Sequence, residues 1–367
     1  MAPRHSRSLS YTEISTALTC QALWDFRYGG TLAGSTLKPK LTKAILSEGR
    51  AWGAMVAAWH GDSGSLMAEM NAAAAMRRSL ASDFERMEAL GVKMNGLHDQ
   101  QMEMEYKLSR IFEDYRRKES PMRNLTKIED EIDVPLPGRS GGRRASSLYR
   151  FQCFLDGFIP AGDAGNEWLV EYKLRGRLTP HEMLQLGRQY LWYAWARQRQ
   201  TGRSVVGLVV DERLNGFPSA PKLKKAPKGT GRDGYTVSHD AQKQTCTEKE
   251  YLDACELYRA EPSPAVVEAL RSRVWQQRYA IPFVPSELEE AGRELVSAAM
   301  TIRDLDAGRY PVRNAQMRLC NGCDFKRVCK NPTDVLFVDL LFERTVPKRL
   351  RRPEGDEPLT AGSEVMF

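Results

Sequence analysis

Three residues near the middle of the chain have the types and spacing that hard-cation chemistry needs: Asp156 in FLDGFI, then Glu171 and Lys173 in LVEYKL. Side chains on a strand alternate with period two, so Glu171 and Lys173 project from one face while Val170 and Tyr172 point the other way. If the two segments are hairpin partners, Asp156 lies close to Glu171 and two carboxylates come within reach of one cation. Such oxygen ligands suit Mg²⁺ or Mn²⁺, which lower the pKa of a bound water and offset charge building on a phosphate. Lys173 beside that water would orient the nucleophile or stabilise the transition state as a fixed positive charge. Metal-assisted phosphodiester hydrolysis is the chemistry such a set serves; taken alone, the same residues would equally make a surface ion pair on a half-buried strand. In the helix expected next, Gln189 and Tyr193 stand at i and i+4 and share one face, which is expected to look towards the same point. Separately they read as a solvated glutamine and a core aromatic.

The second group is LCNGCDFKRVC, which sets Cys320, Cys323 and Cys329 in the pattern C-x₂-C-x₅-C. Close thiolate spacing suits zinc or an iron–sulfur cluster, and either wants four ligands. Cys20 is the candidate for the fourth, with Cys246 the alternative, and a set joining Cys20 to the C-terminal trio would close a loop of about 300 residues. Cys153 and Cys255 read as small buried hydrophobes. Seven cysteines, an odd number, argue against a disulfide framework, because the opening MAPRHSRSLSYTE has no apolar core and no cleavage site. The cytoplasm is therefore the expected compartment.

The elements that must position these residues follow from periodicity. A helix is expected over residues 10–28, carrying Cys20, with Ser10 and Thr12 as possible caps; another spans about Lys43 to His60, and a long alanine-rich helical stretch reaches Arg117. From Ile128 the texture changes. IEDEIDVPLPG, LYRFQCFLDGFI and EWLVEYKL read as three strands of an antiparallel meander, GRSGGRR and AGDAGN being their turns. A helix from Pro180 to about Gln200 and a buried strand, SVVGLVVDE, come next. Residues 213–245 read as a long exposed insertion, helices follow near 247–260, 263–277, 285–306 and around FVDLLFE, and the tail from Val346 reads as disordered. The expected organisation is a helical lobe over 1–127, a core over 128–212, a basic insertion over 213–246, a C-terminal helical and cysteine-bearing region over 247–345, and the tail over 346–367.

Bulk properties narrow the classes. No run of about 18 apolar residues is present to cross a bilayer. A net charge of +7 favours a polyanionic partner, since each phosphate neutralised by Lys or Arg releases counterions. Lys222, Lys224, Lys225 and Lys228 are candidate phosphate contacts, or simply a solvated insertion.

With its motifs in this order, the sequence resembles the RecB-type PD-(D/E)XK nucleases that carry a four-cysteine iron–sulfur cluster, a group that includes AddB-like, CRISPR-associated and phage recombination exonucleases. The matching residues are Ser10 to Cys20, Asp156, Glu171-Tyr172-Lys173, Gln189-x₃-Tyr193 and the terminal cysteine run. The resemblance implies an α/β, restriction-endonuclease-like core with a mixed sheet, a helical lobe and a C-terminal iron–sulfur region. It also implies Asp156 and Glu171 as ligands of Mg²⁺ or Mn²⁺, a catalytic set completed by Lys173, Gln189 and Tyr193, and a 4Fe–4S cluster on Cys20, Cys320, Cys323 and Cys329. The activity implied is exonucleolytic hydrolysis of single-stranded or end-frayed DNA in recombination or repair, in a bacterial or, for a phage protein, host cytoplasm. Such proteins have a G-x-x-x-H motif whose histidine completes the metal site. Here Gly53 stands where that histidine would follow Gly49, and His60, a substitute candidate, lies about 10 Å further along the helix axis. Two other readings remain open: a nuclease-fold DNA-binding accessory protein without efficient chemistry, which the missing histidine supports, and a zinc-stabilised binding module.

Overall fold

Ser10 marks the junction between the first strand, β1 (Arg7–Ser10), and the first helix, α1 (Tyr11–Thr19), because its hydroxyl accepts the Glu13 N–H and caps the helix. The computed structural model describes residues 6–62, 67–92, 96–119, 122, 125–126, 130–138, 145–162, 165–228 and 230–347. The helix expected over 10–28 breaks at Cys20, whose backbone is extended (φ −157°, ψ 108°). It resumes as the short α2 (Gln21–Trp24) and a π-helical turn, Asp25–Gly29, before β2 (Thr36–Pro39). The helical lobe is built from α3 (Ala44–Gly61), α4 (Ala68–Ala89) and α5 (Leu97–Lys118), so the stretch expected to run to Arg117 is two helices.

The strands follow: β3 (Asp130–Pro137), β4 (Ala145–Leu155), β5 (Gly157–Ala161) and β6 (Asn166–Arg175). The sequence led us to expect LYRFQCFLDGFI as one strand, but the chain bends at Asp156. Its first half, β4, pairs antiparallel with β3 and parallel with β1; its second half, β5, pairs antiparallel with β6. The meander therefore exists in its pairings yet is divided between two sheets, ordered β1-β4-β3 and β10-β7-β6-β5. After β6 come α6 (His181–Gln185) and α7 (Arg188–Thr201), a crossover that returns the chain to lay β7 (Val205–Leu214) parallel to β6. Downstream lie β8 (Leu223–Lys225), β9 (Tyr235–Val237), α8 (Glu248–Leu257), α9 (Pro264–Ser272), β10 (Gln276–Pro282) and α10 (Pro285–Asp306). The chain then forms α11 (Met317–Asn321), α12 (Val335–Leu341) and β11 (Phe342–Thr345), the last antiparallel to β2.

Three expectations change. The helix read over 263–277 stops at Ser272, and QQRYAIP instead pairs antiparallel with β7. The insertion over 213–245 contains a hairpin, β8–β9. The sheets around residues 128–212 also recruit β1 and β10 from outside that stretch. The tail beyond Pro347 and most of GRSGGRR lie outside the described residues. No helix among the described residues is long and apolar enough to cross a membrane.

Strand β6 is covered on both faces. Leu169 joins Leu208, Val210, Trp192, Ala196 and Leu295 in one apolar cluster, under α7 and α10, while Val170 and Tyr172 join Trp52, Val56, Ile111 and Tyr115 of the helical lobe in another. Coverage on both faces is why the first six residues of β7, VVGLVV, read as a nearly continuous apolar run.

His60 belongs to the second cluster. Its Nδ1 accepts the Met122 N–H (3.0 Å), so its Nε2 carries the proton and faces the Tyr115 hydroxyl (3.1 Å), which donates onward to Asp211 (2.7 Å). Its ring stacks on Tyr172, centroids 5.2 Å apart. Burial, reinforced by the Arg278 charge, pushes the imidazole down to about 3. The unfolded chain binds this proton at about 6.5 and the folded one does not. Stability is thus whole above about 6.5 and falls towards pH 3 by about 1.4 kcal/mol per pH unit. We expect His60→Gln to flatten that part of the stability–pH curve, measured by urea unfolding from pH 7 to 4; an unchanged acid slope would refute the assignment.

Candidate active site

The bend at Asp156 brings the three chemistry-bearing residues together. In the β5–β6 hairpin Gly157 is opposite Val170, so Asp156, one residue earlier, stands at the level of Glu171. Its Oδ2 accepts the backbone N–H of Tyr172 at 2.8 Å, fastening the bend to the strand between Glu171 and Lys173. Glu171 is buried, 4 % exposed, and pairs with the Lys173 ammonium on the same face of β6. Burial works against the charge of Lys173, but Glu171 and Asp156 more than offset it and hold the ammonium above the ordinary lysine range. Lys173 is therefore cationic throughout neutral pH.

Helix α7 lies over this face. Gln189 Nε2 donates to the Tyr193 hydroxyl at 3.1 Å, so the two residues do share one side. Burial raises the Tyr193 phenol and the charge of Glu171 adds to the rise, while its ring lies 6.3 Å from that of Phe151 on β4. Tyr190 is the residue that sequence reasoning missed: its phenol is likewise raised by burial while Lys173 and Glu171 act on it. Its signal was the i, i+3 spacing to Tyr193, which puts both on the same row of the helix. His60 is not part of this site. It packs against Tyr172, on the opposite face of β6 from Glu171, and both ring nitrogens are engaged there, so it does not replace the histidine absent at Gly53.

Among the described residues no three His, Cys, Asp or Glu side chains form a group that could hold a metal ion. Two carboxylates still suit Mg²⁺, which keeps several waters and is held by one or two carboxylates together with substrate phosphates. The donor set fits such an ion.

The second cluster of donors lies where the chain's two ends meet. Asn314 donates to Thr19 C=O (2.7 Å), the Ala22 N–H to Val312 C=O (3.1 Å) and the Val312 N–H to Gln21 (3.1 Å), so the segment before α11 is stitched to both sides of Cys20. Burial raises the Cys329 thiol, Arg313 opposes, and Cys20, Cys323 and Cys320 each add to the rise. Burial likewise raises the Cys323 thiol, with Asp324 and Cys20 adding and Arg27 opposing. Cys323 and Cys329 pack on Phe26 and Phe325, whose rings stack at 5.6 Å. Thiols backed by aromatics, with Arg27 and Arg313 near, have the chemistry of an anionic thiolate centre, although no three of them form a group that could hold a metal ion as they stand. Cys153, Cys246 and Cys255 are buried elsewhere.

The bond from Tyr172 to Asp156 makes its own prediction. Asp156→Asn keeps an acceptor oxygen and should unfold within about 1 kcal/mol of the parent, whereas Asp156→Ala loses the bond and should fall lower by about a further 1 kcal/mol. Equal midpoints for the two variants in urea would show that the bond does not hold the bend.

Comparison with known proteins supplies the remaining finding. No curated protein matches the chain. The structure of a candidate exonuclease from Eubacterium rectale is similar at 11% identity and a TM-score of 0.43, covering 88% of this chain and 87% of its own. The description of the PD-(D/E)XK nuclease superfamily matches residues 8–330, which takes in Cys20, the Asp156 bend, β6, α7 and all three C-terminal cysteines. The chain belongs to the PD-(D/E)XK nuclease superfamily.

Proposed function

We propose that this chain is a metal-dependent deoxyribonuclease, acting as an exonuclease on single-stranded or end-frayed DNA in recombination or repair. The observation that carries the reading is the placement of Asp156 at the level of Glu171, with Lys173 on the same face and cationic. Asp156 and Glu171 would hold Mg²⁺ or Mn²⁺, which when bound supplies an acidified water and charge for the phosphate. Lys173 neutralises Glu171 and presents a fixed positive charge where the phosphate oxygens gather negative charge. Gln189 and Tyr193, bonded to each other, offer an amide and a phenol to orient the scissile phosphate. Exonucleolytic action and the pathway rest on the sequence resemblance alone.

Glu171→Ala and Lys173→Ala should each lower cleavage of labelled DNA by on the order of 10²–10³-fold or more, with binding retained, since both act on the transition state rather than on DNA docking. Near-normal cleavage by either variant in metal excess would sink the site. A wild-type protein that binds DNA without cutting it, in Mg²⁺ and in Mn²⁺, would favour the accessory reading, which the engaged position of His60 and the glycine at 53 support.

The four thiols are proposed to hold a 4Fe–4S cluster. The protein stitches around Cys20 already bring the two ends of the chain together, so the cluster would lock a junction rather than create one. Each of Cys20→Ala, Cys320→Ala, Cys323→Ala and Cys329→Ala should lose iron and sulfide after anaerobic purification and become more sensitive to proteolysis near both ends. Cys153, Cys246 and Cys255 should be replaceable at no cost in iron. Full iron in Cys20→Ala would move the fourth ligand elsewhere, and zinc in all variants would favour the zinc-stabilised module.

A further inference from the structure

The insertion after β7 is a rooted arm. Leu214, the last residue of β7, is opposite Arg175 on β6, and the Asn215 N–H bonds to Arg175 C=O at 2.8 Å. The chain thus leaves the sheet two residues beyond Lys173, about 7 Å along the strand, at the carboxyl ends of the parallel pair, where ligands of open α/β sheets bind. It then forms the β8–β9 hairpin. The base of that hairpin is clamped by one fully buried amide: Gln244 Oε1 accepts the Lys222 N–H (2.9 Å), and its Nε2 donates to Lys222 C=O (3.0 Å) and Ser238 C=O (2.7 Å). Val237 is buried among Phe217, Tyr251 and Trp275, with Phe217 stacked on Trp275 at 3.9 Å. At the tip Gly231 has a positive φ, and a Cβ there would meet Tyr235 C=O at 2.2 Å, so only glycine closes the turn.

What this rigid base holds out is charge. Between residues 222 and 237 stand Lys222, Lys224, Lys225, Lys228 and Arg232 against Asp233 alone. All five are exposed, and among the described residues the four lysines make no ion pair, while Arg232 pairs with its neighbour Asp233. Tyr235 and Leu223 are exposed as well, 47 % and 40 %, and share the Lys225 face. A solvated insertion needs neither a buried amide clamp nor a concentration of unpaired cations on an arm rooted two residues past the proposed phosphodiester site. A two-stranded ribbon, moreover, has the width that the major groove of a duplex admits.

We infer that the β8–β9 arm grips the duplex portion of a DNA substrate through its phosphates, holding the frayed end at the Asp156–Glu171 site. The inference rests on DNA being the substrate. Its test is the variant Lys222→Gln, Lys224→Gln, Lys225→Gln, Lys228→Gln, changed only at exposed positions and checked for an unaltered melting temperature. Binding to a labelled blunt duplex and to a short single strand is measured in Ca²⁺ across a salt series. Each lost phosphate contact on duplex DNA removes about 0.9 from the slope of log K against log salt. The arm predicts a slope shallower by about 3 to 4 on the duplex, affinity there lower by roughly tenfold or more, and little change on the single strand. An unchanged duplex slope overturns the inference and leaves the arm to an acidic protein surface; equal losses on both substrates overturn it too. Since binding is read without cleavage, a wild-type protein that never cuts but shows the predicted change of slope would remove the nuclease reading and leave the arm standing.

Discussion

One backbone hydrogen bond organises the centre of this molecule: the N–H of Tyr172 received by the carboxylate of Asp156. A strand that leaves one sheet for another must bend, and the bend exposes a peptide edge that has lost its ladder partners. Here the side chain at the corner supplies the acceptor. That places one carboxylate beside the next strand's Glu171 with no loop to wander. The strand it is fastened to, β6, is covered on both faces, by α7 and α10 on one and the helical lobe on the other.

Much of the site was legible because its logic is local. Period two along LVEYKL predicts Glu171 and Lys173 together and Tyr172 opposed to them, and the structure has that arrangement. Period 3.6 predicts Gln189 beside Tyr193, and they are hydrogen-bonded. The corner was missed although Asp156-Gly157 is a dipeptide that marks turns; which sheet each half of FLDGFI joins is decided by β1 and β3 on one side and β6 on the other. The helix expected over 263–277 overran into Gln276 and Gln277, and the strand QQRYAIP was not foreseen because its strand character is conferred by the β7 edge. His60 shows a different failure. Helical spacing gives a residue's angle about the axis, but not which face of the sheet the helix covers, and α3 covers the Tyr172 face.

Charge is distributed with a similar economy. Inside, cations are spent on fixed carboxylates: Arg278 on Asp211, Arg213 on Asp114, Arg197 on Glu167. Such buried pairs contribute little net stability but are costly to break, so they define the arrangement more than they strengthen it. The arm after β7 is the opposite case, with its lysines left in solvent and its order drawn from an amide and a few aromatic rings.

The pairing of β2 with β11 joins residues 36–39 to residues 342–345, and it has a consequence during synthesis. A ribosome adding about 5–20 residues per second needs roughly 15 to 60 s to deliver the second strand after the first has emerged. Throughout that interval Thr36–Pro39 is an open edge, the kind of surface on which chains add to one another. It is also short and polar at its centre, with Lys38 exposed, which keeps such an edge unattractive until its own partner arrives. The junction around Cys20 can close only once residues 312–345 have been made, and the fold that precedes them must stand by itself until then.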